Sequence, residues 1–217
     1  IAAQDGDAVL TVTDAATVAQ FDTLDAATSS AIVLVGGISD TAANLAPSGT
    51  KTSGFTAAST QDTDVAVTIT GTDPSVAEFN AIAAATSGVV SASISDNISN
   101  LGSIVAAATD AITVTVTDAA TVAQFNTLDA KTSVDIVLTG GVSDVAASYA
   151  AANGTTTSGL TAIAAQDANA VLTVTDAATV AQFDTLNAAT SSAIVLTGGV
   201  SDVAASYDPA NTRPTSS

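Results

Sequence analysis

The sequence predicts an α/β fold, a right-handed repeat solenoid with a parallel β-sheet and short helices: about eight strand–helix coils in four tandem copies. Three observations predict it. AVLTVTDAATVAQFDTLDAATSSAIVL, from Ala8 to Leu34, returns from Ala170 to Leu196 with Asp25 replaced by Asn187 as the sole change. Each copy alternates a β-branched run of period two with an Ala-rich stretch whose apolar residues lie about one helical turn apart. Strand centres follow one another at about 22 to 24 residues, or about 35 where an extra segment intervenes. A coil of that size holds one strand and one short helix, with strands stacked in parallel at about 4.8 Å. That gives a stack about 38 Å long. Crossovers between parallel strands are nearly always right-handed, which fixes the predicted hand. A parallel β-helix with little true helix is the alternative.

The first strand is VLTVT, Val9 to Thr13, and Asp14 stands where a helix N-cap belongs. Its carboxylate suits the unpaired amides of a first helical turn and complements the helix dipole. The divergent copy places Asp73 and then Pro74 at this point, and Pro is favoured at the first helical position. The helix that follows carries Val18, Phe21 and Leu24 on one face. A second strand, AIVL from Ala31 to Leu34, leads to Gly-Gly in three of four copies, then Ser-Asp and a brief helix such as TAANL, Thr41 to Leu45. The expected caps are Asp14, Asp73, Asp118 and Asp176 in the first half of each copy, and Asp40, Asp96, Asp144 and Asp202 in the second. Eight strands are expected, near Val9, Ile32, Val65, Val89, Ile112, Ile136, Val171 and Ile194.

The copies are uneven. A third runs from Ile112 to Leu138 and a divergent one from Val65 to Ile94; Phe21, Phe79, Phe125 and Phe183 mark all four, at intervals of 58, 46 and 58 residues. The short interval lacks a Gly/Thr/Ser-rich excursion that the others carry (PSGTKTSGFTAAS from Pro47, NGTTTSGLTAIAA from Asn153). The organisation expected is copy 1 over 1–46, an excursion over 47–61, copy 2 over 62–101, copy 3 over 102–152, an excursion over 153–165, and copy 4 with the start of a further excursion over 166–217, in one continuous solenoid. IAAQD at Ile1 repeats IAAQD at Ile163, and NTRPTSS from Asn211 parallels NGTTTSG from Asn153. Both ends therefore fall at nearly the same phase, and the expectation is that the array continues or that copies stack end to end.

Composition narrows the chemistry. The 217 residues are 47% hydrophobic, yet aromatics are 3% and Cys, Met, Trp and His are zero. Without His or Cys there is no imidazole base, thiol nucleophile, disulfide or zinc finger. Lys51, Lys131 and Arg213 face 20 Asp and Glu78, a formal net charge of −18. Nucleic-acid binding needs clustered cations, so no nucleic-acid partner is expected. Mean hydropathy is +0.47, but Ser, Thr, Asp and Gly break every apolar run short of a span, so no membrane insertion is expected. No signal peptide opens the sequence, and absent cysteine permits an extracellular address.

The motifs TVTDAATVAQF from Thr11, LDAATS from Leu24 and GGISDTAANL from Gly36 resemble repeats of giant secreted cell-surface proteins of marine cyanobacteria, some associated with motility or a surface layer. The resemblance covers nearly the whole chain and implies a structural or spacer role at the cell surface. Many relatives carry calcium-binding GGxGxD nonapeptides; this sequence has none, so calcium-dependent folding does not carry over.

Acidic doublets before the first strand of a copy, Asp5 with Asp7 and Asp62 with Asp64, are the candidate metal ligands, for a weak structural Ca²⁺. The competing reading makes them turn residues that keep an Ala-rich surface soluble. Thr11, Thr13, Thr68, Thr70, Thr113, Thr115, Thr117, Thr173 and Thr175 point to one face of their strands, an arrangement suited to ice, but Val33, Val137 and Val195 interrupt the lattice. The recurring Phe residues, Tyr149 and Tyr207 read as packing. Asn97 and Asn153 open Asn-x-Ser/Thr sequons. Equivalent Asp residues on near-identical copies do not make the asymmetric pocket that paired-carboxylate catalysis needs, so no enzyme and no catalytic residue is expected. The expected function is a structural segment of an extracellular bacterial array or filament, self-associating or continuing into further copies of the repeat. A stalk or ligand-binding module of an adhesin is the alternative, and ice binding a more distant one.

Overall fold

The computed structural model describes residues 6–132 and 135–207. They form two compact bodies: the residues up to Thr115 with 130–132 and 135, and Val116–Asp129 with the residues from Ile136 on. The first contains β1 (Leu10–Val12), α1 (Val18–Asp25), β2 (Ile32–Leu34), β3 (Ile38–Thr41), α2 (Ala42–Leu45), α3 (Ser53–Gln61), β4 (Val67–Thr70), α4 (Val76–Ala83), β5 (Val90–Asp96), α5 (Ile98–Leu101) and most of β6 (Ala111–Val116). The second contains α6 (Val122–Asp129), β7 (Ile136–Leu138), β8 (Val142–Asp144), α7 (Ala146–Tyr149), α8 (Ser158–Gln166), β9 (Leu172–Val174), α9 (Val180–Ala189) and β10 (Ile194–Leu196).

The protein is a mixed α/β chain with parallel sheets and short helices. Strands paired within a sheet are consecutive in the chain, while β2 and β3, and β7 and β8, belong to different sheets. In the first body Leu10 faces Ile32, Ile38 faces Val67, and Val67 faces Val90, always in parallel. In the second Val142 faces Leu172, which faces Ile194. Repeated sequence makes repeated contacts: the Thr28, Thr86 and Thr190 hydroxyls donate to the carbonyls of Ala8, Val65 and Ala170, about one strand–helix unit back.

Period-two burial follows from that pairing. Ile32 and Leu34 are buried while Val33 between them is 43% exposed, so one strand face meets the helices and the other meets solvent. The core is stacked between strands and helices: Phe21, Phe55 and Phe79 in the first body, Phe125, Tyr149 and Leu160 in the second, are all fully buried. Phe183, on α9 at the end of the second body, is only half-buried.

The expected number of strands is corrected. All eight predicted strands are present, but β3 and β8 add two more where only a Ser-Asp cap was expected. The reason is the Gly-Gly corner. Gly37 and Gly141 take φ of 77° and 71°, the left-handed region open to glycine, which turns the chain after β2 and β7 so that it runs on as a further strand. Gly36 and Gly140 meanwhile lie against backbone, where an added Cβ would come 2.1 Å from the carbonyl carbons of Asp14 and Asp118.

The excursions are largely helical. Residues 47–61 and 153–165 hold most or all of α3 and α8, capped by the Thr52 and Thr157 side chains. Gly54 and Gly159 let these helices press onto α1 and α6: a Cβ there would meet Val18 Cγ1 at 2.6 Å and Val122 Cγ1 at 2.3 Å. The sheet register closes up accordingly, so that Ile32 lies beside Gln61 and not beside Val65.

Candidate functional site

Polar side chains join successive strand–helix units, and each body has one partly uncovered apolar layer.

The helix N-caps come first. Asp14 and Asp73 do not cap α1 and α4. Thr17 and Ser75 do, each in a capping box with Gln20 or Glu78 three residues on, and Thr179 with Gln182 repeats it on α9. Thr121 and Gln124 exchange the same bonds at α6, where Asp118 was expected. Pro74 accordingly precedes the cap and is not the first helical residue. A Thr or Ser at this place needs no strand carboxylate beside it, because its hydroxyl already reaches the amide three residues on. The signal is present in the sequence as Thr-Val-Ala-Gln and Ser-Val-Ala-Glu. At α5 the cap is Asn97, with Asp96 accepting from the Asn97 amide at 2.7 Å.

The strand aspartates work between units. Asp40 Oδ2 accepts from the Val18 N–H, the first residue of α1, at 2.9 Å. Asp144 and Asp202 do the same for Val122 and Val180, both at 3.1 Å. The other oxygen accepts from the next residue in its own strand–helix unit: Thr41, Val145 and Val203 at 2.8, 2.8 and 2.7 Å. Each carboxylate thus ties the helix of the preceding unit to its own. Asp176 also acts across units, accepting from the Ala146 N–H of α7 at 2.6 Å. These backbone bonds hold the Asp202 carboxyl below the usual range, those from Val203 and Val180 foremost. Burial pushes the Tyr149 phenol well above its usual value and the charge of Asp144 adds to this, while its hydroxyl donates to the Val142 and Thr173 carbonyls at 2.9 and 3.0 Å.

A second device was not anticipated. Where α3 and α8 interrupt the strand ladder, side chains replace the missing strand. Gln61 Oε1 and Asp62 Oδ2 accept from the Ile32 and Leu34 N–H groups of β2 at 3.0 and 2.7 Å. Gln166 and Asp167 do so for Ile136 and Leu138 of β7 at 3.1 and 2.9 Å. The Gln amides donate to Asp25 and Asp129 of the helices below. Asp110 likewise accepts from Val90 of β5 at 2.9 Å. The repeated Gln-Asp pair is the only sequence trace of this.

The acidic doublets are distributed as follows. Asp5 lies outside the described residues. Asp7 accepts from the Ser29 hydroxyl at 2.5 Å, Asp62 is the strand mimic just described, and Asp64 is exposed. Among the described residues no group of three or more acidic side chains comes together as a cation site. In the outward Thr rows, Thr11 faces Val33 and Thr173 faces Val195 across the ladder, so the row is mixed along the sheet. Among the described residues no helix is long and apolar enough to cross a membrane.

The end layers are copies of buried ones. Leu10, Val12 and Leu24 are half-buried, whereas their counterparts Leu172, Val174 and Leu186 are at most 1% exposed. A groove of about 530 Å³ opens over Val12, Ala16, Ala19, Gln20, Thr23 and Leu24. In the second body Tyr207 is 50% exposed against 0% for Tyr149.

No known protein family, curated protein or solved structure matches this chain.

Proposed function

We propose that this chain is a structural segment of an extracellular bacterial surface array, one right-handed solenoid of strand–helix coils that repeats along an axis. The observation that carries the reading is the inter-unit aspartate bond. In the second body Asp144, Asp176 and Asp202 in turn accept a first-turn amide of the unit before (Val122, Ala146 and Val180), so units there present to a successor what they accept from a predecessor, and Asp40 makes the same contact to Val18 in the first body. That is the one-dimensional logic of a repeat array, in which each unit contacts only its neighbours and length is set by the number of units. The sequence resemblance to giant cyanobacterial surface proteins points the same way. The net charge of −18 keeps such an array dispersed except where a matched surface overcomes repulsion.

Immunogold labelling of intact producing cells with an antibody to the purified chain tests the role. Labelling in continuous rows or sheets on the outer surface is expected. Labelling confined to the cell interior overturns it, and isolated surface points in place of rows favour an adhesin stalk.

A further inference from the structure

We propose that a second copy of this chain docks head to tail, its Leu10–Val12–Leu24 layer seating on the Leu196–Val200–Tyr207 layer of the first in the arrangement that residues 138–149 and 170–186 already adopt within the second body. This rests on the structural-array reading and names its partner.

The C-terminal layer is a verbatim copy of an internal one: LTGGVSDVAASY runs from Leu138 to Tyr149 and again from Leu196 to Tyr207. Inside, Val142 is fully buried and Val145 is 40% exposed; at the end, Val200 is 37% exposed and Val203 68%. The N-terminal layer, Ala8 to Leu34, copies with one change the segment from Ala170 that covers the internal layer. Among the described residues the molecule therefore holds both halves of a contact partly uncovered, and the same contact closed within its second body.

The closed version gives the bonds. Val142 N–H donates to the Val171 carbonyl at 2.9 Å, Thr175 N–H to the Asp144 carbonyl at 2.9 Å, and Ala146 N–H to the Asp176 carboxylate at 2.6 Å. Ser143 faces Thr173 in the ladder. Carried to the ends, Val200 N–H meets the Val9 carbonyl of the second copy, Ala204 N–H meets its Asp14 carboxylate, and the Tyr207 hydroxyl, which already donates to Val200 at 3.1 Å, meets the Thr11 carbonyl.

Two different surfaces meet, so the contact is heterologous and propagates into an open filament unless it closes on itself. Both partners are acidic, so docking strengthens as salt screens their repulsion.

The chain has no cysteine, so single cysteines report cleanly. Thr11→Cys and Ser201→Cys, both exposed and facing each other in the docked register, are mixed at high ionic strength and treated with a short bismaleimide, with Thr60→Cys as the exposed control. The mixture is expected to give a cross-linked dimer at least tenfold above either variant alone or any control pairing, and the double variant a ladder. Val200→Asp is expected to abolish the product without lowering the melting temperature. Self-linking of one variant as strong as the mixture means a symmetric contact and overturns the proposal. So does a mixture no better than the control at any salt concentration. If cell-surface rows persist despite that failure, the array reading stands and the docking alone falls. Rows absent with cross-linking present leave the docking standing and overturn the array reading.

Discussion

The Asp40 carboxylate accepts the Val18 backbone N–H at 2.9 Å, joining the first turn of α1 to β3 across 22 residues of chain. Asp40 is 7% exposed, and it also accepts from Thr41 N–H and the Asn44 side chain. A helix N-terminus leaves its first amides without helical partners. Here one of them is satisfied by the next strand–helix unit, so helix stability and unit stacking are one interaction.

Asp40→Ala leaves those donors without an acceptor and is expected to lower stability by about 2–3 kcal/mol, given the usual worth of bonds to a charged partner. Asp40→Asn retains an acceptor oxygen and is expected to lose less than half of that. Urea unfolding with unchanged m-value checks both. A loss within about 0.5 kcal/mol for the alanine variant is the range of ordinary surface substitutions and would contradict the role given to Asp40.

Gly54 and Gly140 separate helix propensity from packing. Alanine favours a helix over glycine by about 1 kcal/mol, so propensity alone predicts that Gly54→Ala stabilises α3. The Val18 Cγ1 contact at 2.6 Å predicts the reverse, a loss of about 1–3 kcal/mol as α3 is pushed off α1. Gly140→Ala meets Asp118 backbone at 2.1 Å, which no rotamer relieves, and is expected to cost more than about 3 kcal/mol. Thermal unfolding of the two variants gives the order.

The strand mimicry of Gln61 has a local readout. Gln61→Leu removes the acceptor for the Ile32 N–H, and Asp62→Ala the acceptor for Leu34. Amide hydrogen exchange is expected to quicken at those two residues by more than tenfold, with β4 and β5 unchanged. Equal quickening in β4 and β5 would show Gln61 to be a general packing residue instead.

Stability depends on pH from both sides. The Glu78 carboxyl lies below its ordinary 4.5 because the Ser75 amide and hydroxyl, and then the Ser48 amide, bond to the charged form. A depressed value means its stabilisation is present above that ordinary range and is lost as pH falls through the folded-state value. The Tyr149 phenol is raised above 10.0 by burial, so its stabilisation is complete below pH 10 and is lost as pH rises through the folded-state value. Glu78→Gln is expected to flatten the acid limb of melting temperature against pH, and Tyr149→Phe the alkaline limb. Limbs identical to the unmodified chain would contradict the assignments.

Much of the fold is legible in the sequence because repetition amplifies local signals. Val9 to Thr13 reads as a strand and Val18, Phe21 and Leu24 as a helix face in isolation, and three further copies repeat the message. What stays hidden is of two kinds. Asp14 looks like a cap although Thr17 with Gln20 forms the fuller box; the carboxylate's local appeal outweighs a pattern spread over four residues. Helix α3 is masked because Thr, Ser and Gly have weak helix propensity, and tertiary packing of Phe55 overrides it. The Asp40 to Val18 bond is beyond local reading. It depends on the register that sets β3 beside Ala16, and register is a property of two segments together.

A surface array requires strand–helix units to continue along one axis from chain to chain, and cryo-electron microscopy of the native assembly reads that continuity. Filaments or sheets with strands perpendicular to a continuous axis and an axial repeat of about 4.8 Å between them are expected. Discrete particles one chain long, with no axial continuation, would contradict it.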